Sequence, residues 1–255
     1  MLTELWEKRS LVVLLAITDV KLRYRNSVLG FFWSFLEPLL MLSVLYFIFS
    51  LVFKSAIENY PLYLLLGLIL CFMFVRSTSA GLSSLVNRAD IILHVYVRRE
   101  LIVISSCLAA FIMMSFEFIV FAIFLIGLQF IPPITVLILP LIVINLLFFS
   151  IGISLLLGVL NVYYRDIQFI WQVAIQAGFF LSPILYTIDM IPEKFHWILM
   201  INPLVPMIES AHNVVLYQTL PSLESSLIMI SSTISVLIIG LLVFKKKNLR
   251  LVERL

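Results

Sequence analysis

Apolar residues run along this chain in long unbroken blocks, with neither the alternation of a half-buried strand nor the single stripe of a soluble helix. A helix crosses the hydrocarbon core of a bilayer in roughly 20 residues at about 1.5 Å rise each. Six stretches reach that length: Phe31 to Phe53, Leu62 to Val86, Leu101 to Phe130, Ile134 to Leu160, Ile167 to Ile188 and Ser225 to Phe244. The first carries Glu37, the second is interrupted by Arg76, the third contains Glu117, and the last three hold no charge. The pattern predicts an all-α, polytopic membrane protein with six transmembrane helices forming one domain over residues 1–255.

Three segments do not fit a crossing. Residues 1–25 place Leu2, Leu5, Trp6, Val12, Val13, Ala16, Ile17 and Val20 among Glu4, Glu7, Lys8, Asp19 and Lys21 at near-helical spacing. This suits an amphipathic helix lying in the interface, either as a plain anchor or as a moving gate element. Residues 84–100 hold Arg88, Asp90, His94, Arg98, Arg99 and Glu100 around Ile91, Ile92, Leu93, Val95 and Tyr96. A short loop would reverse the chain there, so this stretch is either a docking surface for a soluble partner or a solvated loop. Residues 189–224 contain apolar pieces too short to cross, broken by Pro192, Pro203, Pro206 and Pro221. They read as two short half-inserted helices, or as a loop resting on the surface, since non-helical backbone at membrane depth must be shielded or line a wet cavity.

Composition removes the other classes. Of 255 residues 63% are hydrophobic and 12% charged, with a mean hydropathy of +1.16, which excludes a water-soluble domain and a disordered chain. The net charge of +3 becomes informative once it is placed. With six crossings, all of the 17 basic residues except Lys54 and Lys194 fall on the side that holds both termini, which the positive-inside rule makes cytoplasmic. A seventh crossing within 189–224 would move Lys245, Lys246 and Lys247 outside. The apolar run Leu11 to Ile17 is too short to span and no small-residue cleavage pattern follows it, so no cleavable signal peptide is expected.

Polar groups inside the spans are candidate chemistry. Glu37 lies close to the cytoplasmic face, Arg76 can snorkel, and Glu117 is central, where it either has an interhelical partner or a part in transport. Ser150, Ser154 and Gly158 in the fourth span, and Ala174, Gly178 and Ser182 in the fifth, form small-residue stripes that predict close packing of these two spans, within one subunit or across a dimer. Cys71 and Cys107 lie inside spans and read as small packing residues rather than a disulfide or metal cluster. The aromatics of the first span, Phe31, Phe32, Trp33, Phe35, Tyr46, Phe47, Phe49 and Phe53, are platforms for sugar rings or lipid-facing packing residues.

Catalytic signatures are missing. No G-x-x-x-x-G-K-[ST], H-E-x-x-H or G-x-S-x-G string occurs, and the acids lack paired spacing. The chain is expected to be no enzyme and to carry no metal or cofactor of its own. Any ATP would be used by a partner.

The local strings are specific. Arg23-Tyr24-Arg25-Asn26-Ser27-Val28-Leu29-Gly30-Phe31-Phe32-Trp33-Ser34-Phe35-Leu36-Glu37-Pro38 resembles the start of the first span in permease subunits of ATP-binding-cassette polysaccharide exporters, the transporters of lipid-linked O-antigen, teichoic acid and capsule. Val95 to Glu100, Asn161 to Ile167, Phe180-Leu181-Ser182-Pro183 and Asn202-Pro203-Leu204 resemble the same family in the same order along almost the whole chain. The chain departs from the family pattern at Glu37, Val97 and His212.

The resemblance implies a permease of a bacterial inner (cytoplasmic) membrane, both termini cytoplasmic. It implies a homodimer joined to two nucleotide-binding subunits that hold ATP and Mg, with an undecaprenyl-linked polysaccharide as substrate, membrane lipid around it and no nucleic acid. Residues 85–98 would be the coupling segment, with Arg88, Asp90, His94 and Tyr96 meeting the ATPase, and residues 1–25 a cytoplasmic gate helix. Residues 189–224 would form an external gate with Pro192, Asn202 and Pro203. Phe31, Trp33, Tyr46 and Phe47 would line the substrate channel. Arg23, Arg25, Tyr164, Arg165 and Asp166 would contact the lipid carrier's pyrophosphate or neighbouring loops. Two alternatives remain open: an ion-coupled secondary transporter or channel using Glu117 and Arg76, and an exporter of the same family handling a small lipid or drug. Secondary transporters often carry inverted repeats, and the two halves of this chain show no convincing self-similarity.

Overall fold

A computed structural model describes residues 8–25, 27–52, 57–90 and 98–251. Among the described residues every regular element is helical: α1 (Arg9–Arg23), α2 (Trp33–Tyr46), α3 (Tyr60–Asn87), α4 (Arg99–Gly127), α5 (Leu139–Tyr163), α6 (Ile167–Phe180), α7 (His196–Met200), α8 (Leu204–Leu216) and α9 (Leu223–Leu251). A 3-10 turn, Gly30–Phe32, leads into α2, which widens at its end into a π turn, Phe47–Val52. A second 3-10 turn, Ile134–Ile138, leads into α5. Five stretches are long and apolar enough to cross a membrane: Gly30–Ser50, Tyr60–Asn87, Arg99–Gly127, Ile134–Tyr163 and Leu223–Lys247.

A helix that is apolar all round belongs in the centre of a bundle. This is the place of α3, whose Leu62, Leu64, Leu65, Leu66, Leu68 and Ile69 have no exposed surface. The best apolar window of α3 is 83% buried, against 17% for the span containing α2, which sets α3 inside and α2 at the margin. α4 and α5 pack on α3, and α9 packs on α5. Small residues permit the close approaches. A Cβ added to Gly158 of α5 would lie 3.1 Å from the Gly81 carbonyl oxygen of α3, and one added to Gly240 of α9 would lie 2.6 Å from the Gly152 carbonyl oxygen of α5.

These contacts also set direction. Asn161 donates to the Leu82 carbonyl at 3.1 Å, so α3 and α5 run parallel. Thr233 donates to Asn145 at 2.9 Å while Gly240 meets Gly152, so α9 runs parallel to both. One end of the bundle therefore holds Asn87, Tyr163 and Lys247, whose ammonium lies 5.0 Å from the Tyr163 ring centroid. The other end holds Tyr60, Leu139 and Leu223.

The expected fifth span, 167 to 188, is helical only over the 14 residues of α6, about 21 Å and short of the hydrocarbon thickness. Pro183 cannot continue the helix and disfavours helical backbone at Ser182. Residues 181–187 complete the passage as irregular chain whose carbonyls are satisfied by side chains. Tyr63 Oη lies 2.9 and 2.8 Å from the carbonyl oxygens of Pro183 and Tyr186, and Tyr60 donates to the Leu185 carbonyl at 3.2 Å. Trp171 donates to Thr78 near the other end of α3 at 3.2 Å, so α6 with its extension runs the length of α3 in the opposite direction and makes the sixth passage.

Within one copy of the chain the fourth-span stripe packs closely on α3 and α4, and the fifth-span stripe leaves open space at Gly178. Ser154 donates to the Ser77 carbonyl of α3 at 3.2 Å and accepts from Cys107 of α4, whereas a Cβ at Gly178 of α6 would meet nothing within 4 Å. Cys71 and Cys107 are buried free thiols.

Candidate transport path and coupling sites

The first span turns one face outward. Trp33, Glu37, Leu40, Val44 and Phe47 fall at i, i+4, i+7, i+11 and i+14, the spacing of a single helical stripe, and all five are exposed in one copy of the chain. Trp33 is 42% and Phe47 59% exposed. Arg23, Tyr24, Trp33, Glu37, Val44 and Phe72 line a groove of about 740 Å³ between the end of α1, α2 and α3. Tyr46 lies across the helix from the stripe and stacks on Tyr60 with ring centroids 6.3 Å apart. Phe31 turns inward instead and packs edge-on against Tyr24, Phe35 and Phe116, with ring centroids 5.6, 5.6 and 4.5 Å apart. Of the four expected channel aromatics, Trp33 and Phe47 thus lie at the open face, while Tyr46 and Phe31 are held against other rings.

Arg76 and Glu117 close on each other across α3 and α4. The pair is buried, Arg76 also donates Nε to the Phe72 carbonyl at 3.1 Å, and its guanidinium lies 5.7 Å from the Phe72 ring. Glu117, the central acid, thereby has an interhelical partner. One oxygen of Glu117 and one nitrogen of Arg76 remain without a hydrogen bond.

At the Asn87 end, Arg88 is bound within the chain. It forms an ion pair with Asp19 of α1 and reaches Ser105 of α4 at 3.4 Å, the two ion-pair side chains being 17% and 19% exposed. Burial lowers the Arg88 pKa from its ordinary value. Arg88 therefore straps α1 to the end of α3. Asp90 is exposed, and His94 and Tyr96 lie outside the described residues. Arg23, Arg25, Arg165 and Asp166 are exposed, as is Tyr164. No hydrogen bond or ion pair joins Arg23 or Arg25 to Tyr164, Arg165 or Asp166 among the described residues.

At the opposite end the 189–224 segment folds back on itself. The turn Glu193–Phe195 with α7, and then α8, form a pair bent by 107°. Pro192 opens that turn by accepting from Phe195 N at 2.9 Å. Asn202 sits at the vertex, donating to Ser182 Oγ at 3.0 Å and accepting from Leu204 N at 3.1 Å, and Pro203 follows as the residue before α8. The vertex is thus pinned to the broken end of α6. Beside it, His212 of α8 stacks on Tyr63 with ring centroids 3.7 Å apart. Tyr217, just past α8, has its phenol pKa raised by burial first and then by Glu58 and Asp189.

Sequence reasoning counted Asp19 only as one polar position of the amphipathic segment, and passed over Tyr60 and Tyr63. Asp19 is an acid on the apolar helix α1 and so in want of a partner. Tyr60 and Tyr63, one turn apart at a span end, carry hydroxyls that need acceptors when buried.

Five membrane-length helices, a sixth broken passage and a bent helix pair define a polytopic membrane protein, and among the described residues no group of His, Cys, Asp or Glu is placed to hold a metal ion. The model of the ABC-2 type transporter family matches residues 10–216, and the chain belongs to that family. It is 35% identical over 244 residues to the O-antigen export system permease protein RfbA of Klebsiella pneumoniae, covering 95% of this chain and 94% of the relative. A Myxococcus xanthus protein of the same name is 28% identical, with 87% and 86% of the two chains covered. The polysialic acid transport protein KpsM of Escherichia coli is 23% identical, with 92% of each covered.

Proposed function

We propose that the chain is the membrane subunit of an ATP-driven exporter that moves lipid-linked polysaccharide across the inner membrane, working as a homodimer with two nucleotide-binding subunits. The observation that carries this reading is near full-length similarity to two relatives, each 35% identical and each named for O-antigen export. The α2 face supports it. A charged Glu37 on a membrane helix is costly against lipid, so the open stripe fits a wet lumen closed by a second copy. Aromatic faces there give a sliding sugar chain weak, repeated contacts. Both termini, Asn87 and Tyr163 then lie in the cytoplasm, and residues 85–98 couple to the ATPase. The basic groups Arg23, Arg25 and Arg165 suit a carrier pyrophosphate on that side.

An ion-coupled transporter built on Arg76 and Glu117 is less well supported, because each neutralises the other. Deletion of the gene in a polysaccharide-producing host tests the reading. The expected result is loss of surface polysaccharide with build-up of lipid-linked polymer inside; normal surface polymer without build-up removes it.

A further inference from the structure

At the end of the bundle that the proposed function makes external, Tyr63, Thr187, Asp189, Glu209, His212 and Tyr217 line a cavity of about 270 Å³, with Asn213 beside them. The helix breaks create it: α6 stops at Phe180, the chain from Pro183 to Asp189 turns over the start of α3, and α8 returns beneath. Neither Asp189 nor Glu209 forms an ion pair or accepts a side-chain hydrogen bond among the described residues. His212 is 2% exposed, and its Nε2 lies 2.9 Å from the Tyr63 carbonyl oxygen. A carbonyl only accepts, so the proton is on Nε2, and in the neutral ring Nδ1 is a bare acceptor. That Nδ1 is buried without a partner, which is uncommon for a buried polar atom in a finished structure.

The cavity is therefore rich in acceptors, with two carboxylates and the Asn213 amide oxygen, phenol rings at its wall and the closed-off Nδ1 of His212 behind them. A ligand that satisfies such a set brings many donors and no negative charge. The surroundings have the same sign. Among the described residues this end carries Glu58, Asp189, Glu193, Glu209 and Glu224 against Lys194 alone, a field that repels anions from a cleft.

Resting on the exporter reading, we propose that this cavity is a saccharide subsite at the outer mouth of the path, taking an uncharged, hydroxyl-bearing sugar unit and turning away polymers that carry carboxylate or phosphate groups. Sugar hydroxyls donate to Asp189 and Glu209, and the Tyr217 ring offers a face for the sugar's C–H side. The substrate of this exporter is accordingly a polysaccharide of neutral sugars.

The test uses the purified full-length chain in nanodiscs and saturation-transfer NMR with two probes of equal length, mannotetraose and tetragalacturonate. The expected result is saturation of mannotetraose at least tenfold above that of tetragalacturonate. In the doubly neutralised variant D189N/E209Q the difference falls below twofold, and in D189K/E209K the preference reverses. Both acids lie near the cavity surface, so a monodisperse variant is a fair comparison. Equal binding of the two probes by the unaltered chain, binding of neither, or a preference unmoved by D189N/E209Q overturns the subsite. Because this readout needs no export, equal probe binding alongside a positive gene-deletion result removes the subsite and leaves the exporter standing. Selective binding alongside normal surface polymer in the deletion strain removes the exporter reading.

Discussion

The buried pair between Arg76 and Glu117 makes a prediction whose sign differs between one substitution and two. The side chains are 6% and 0% exposed, so removing one partner leaves the other charge in a low-dielectric interior without compensation. Such a change costs about 3–5 kcal/mol, and both Glu117→Leu and Arg76→Met are expected to destabilise the chain by that amount. The pair is imperfectly satisfied, since one nitrogen and one oxygen lack partners. Replacing both ions by apolar residues of similar volume is therefore expected to recover most of the loss, leaving the double variant within about 1 kcal/mol of the unaltered protein or above it. Thermal and denaturant unfolding of the four proteins in the same bicelles measures the cycle. A double variant as unstable as the sum of the singles would refute the pairing, because two independent groups add. The same double variant exports polymer if the pair is structural, whereas loss of export in a stable double variant would return these residues to the transport step.

Other consequences follow from specific contacts. Gly240→Ala is expected to destabilise by about 1–3 kcal/mol, because its Cβ would press on the Gly152 carbonyl oxygen, while Gly178→Ala changes stability little; thermal unfolding of the two variants checks this. Tyr63→Phe frees the Pro183 and Tyr186 carbonyls of their shared donor and is expected to cost about 1–3 kcal/mol, with faster amide exchange confined to the 181–187 segment. Trp33→Ala and Phe47→Ala slow export without changing thermal stability, whereas Phe31→Ala lowers stability by about 1–3 kcal/mol through loss of its ring contacts; export rate and melting temperature read together separate the two classes.

How far the fold could be read before the structure depended on how local each cause was. The five long helices were legible because each crossing is a property of some 20 consecutive residues. α4 itself ends at Gly127, with Gln129 in the left-handed region and Pro132 and Pro133 beyond it. The break of α6 was not visible. An apolar run from 167 to 188 reads as one helix, and what stabilises its irregular end is a pair of tyrosine hydroxyls about 120 residues away in sequence. Long-range pairings were out of reach for the same reason. Glu117 and Arg76 lie 41 residues apart, and Arg88 and Asp19 lie 69 apart. The second pairing gives Arg88 a contact within the chain, to α1, that its position in the sequence did not announce. For the small-residue stripes, the fourth-span set packs on α3 and α4 within one copy of the chain, since a stripe encodes the capacity for close approach and not the identity of the helix that approaches. Among the aromatics of the first span, which ones turned inward depended on distant rings, Phe116 of α4 for Phe31 and Tyr60 of α3 for Tyr46.

The central claim is that this chain forms the path along which a lipid-linked polysaccharide leaves the cytoplasm. Inverted membrane vesicles containing the chain and its nucleotide-binding partner, loaded with radiolabelled undecaprenyl-linked polymer, measure that directly. ATP is expected to drive the polymer into a compartment protected from added glycosidase, and Trp33→Ala is expected to slow the process. Protection that is independent of ATP, or that proceeds equally in vesicles lacking this chain, would contradict the account.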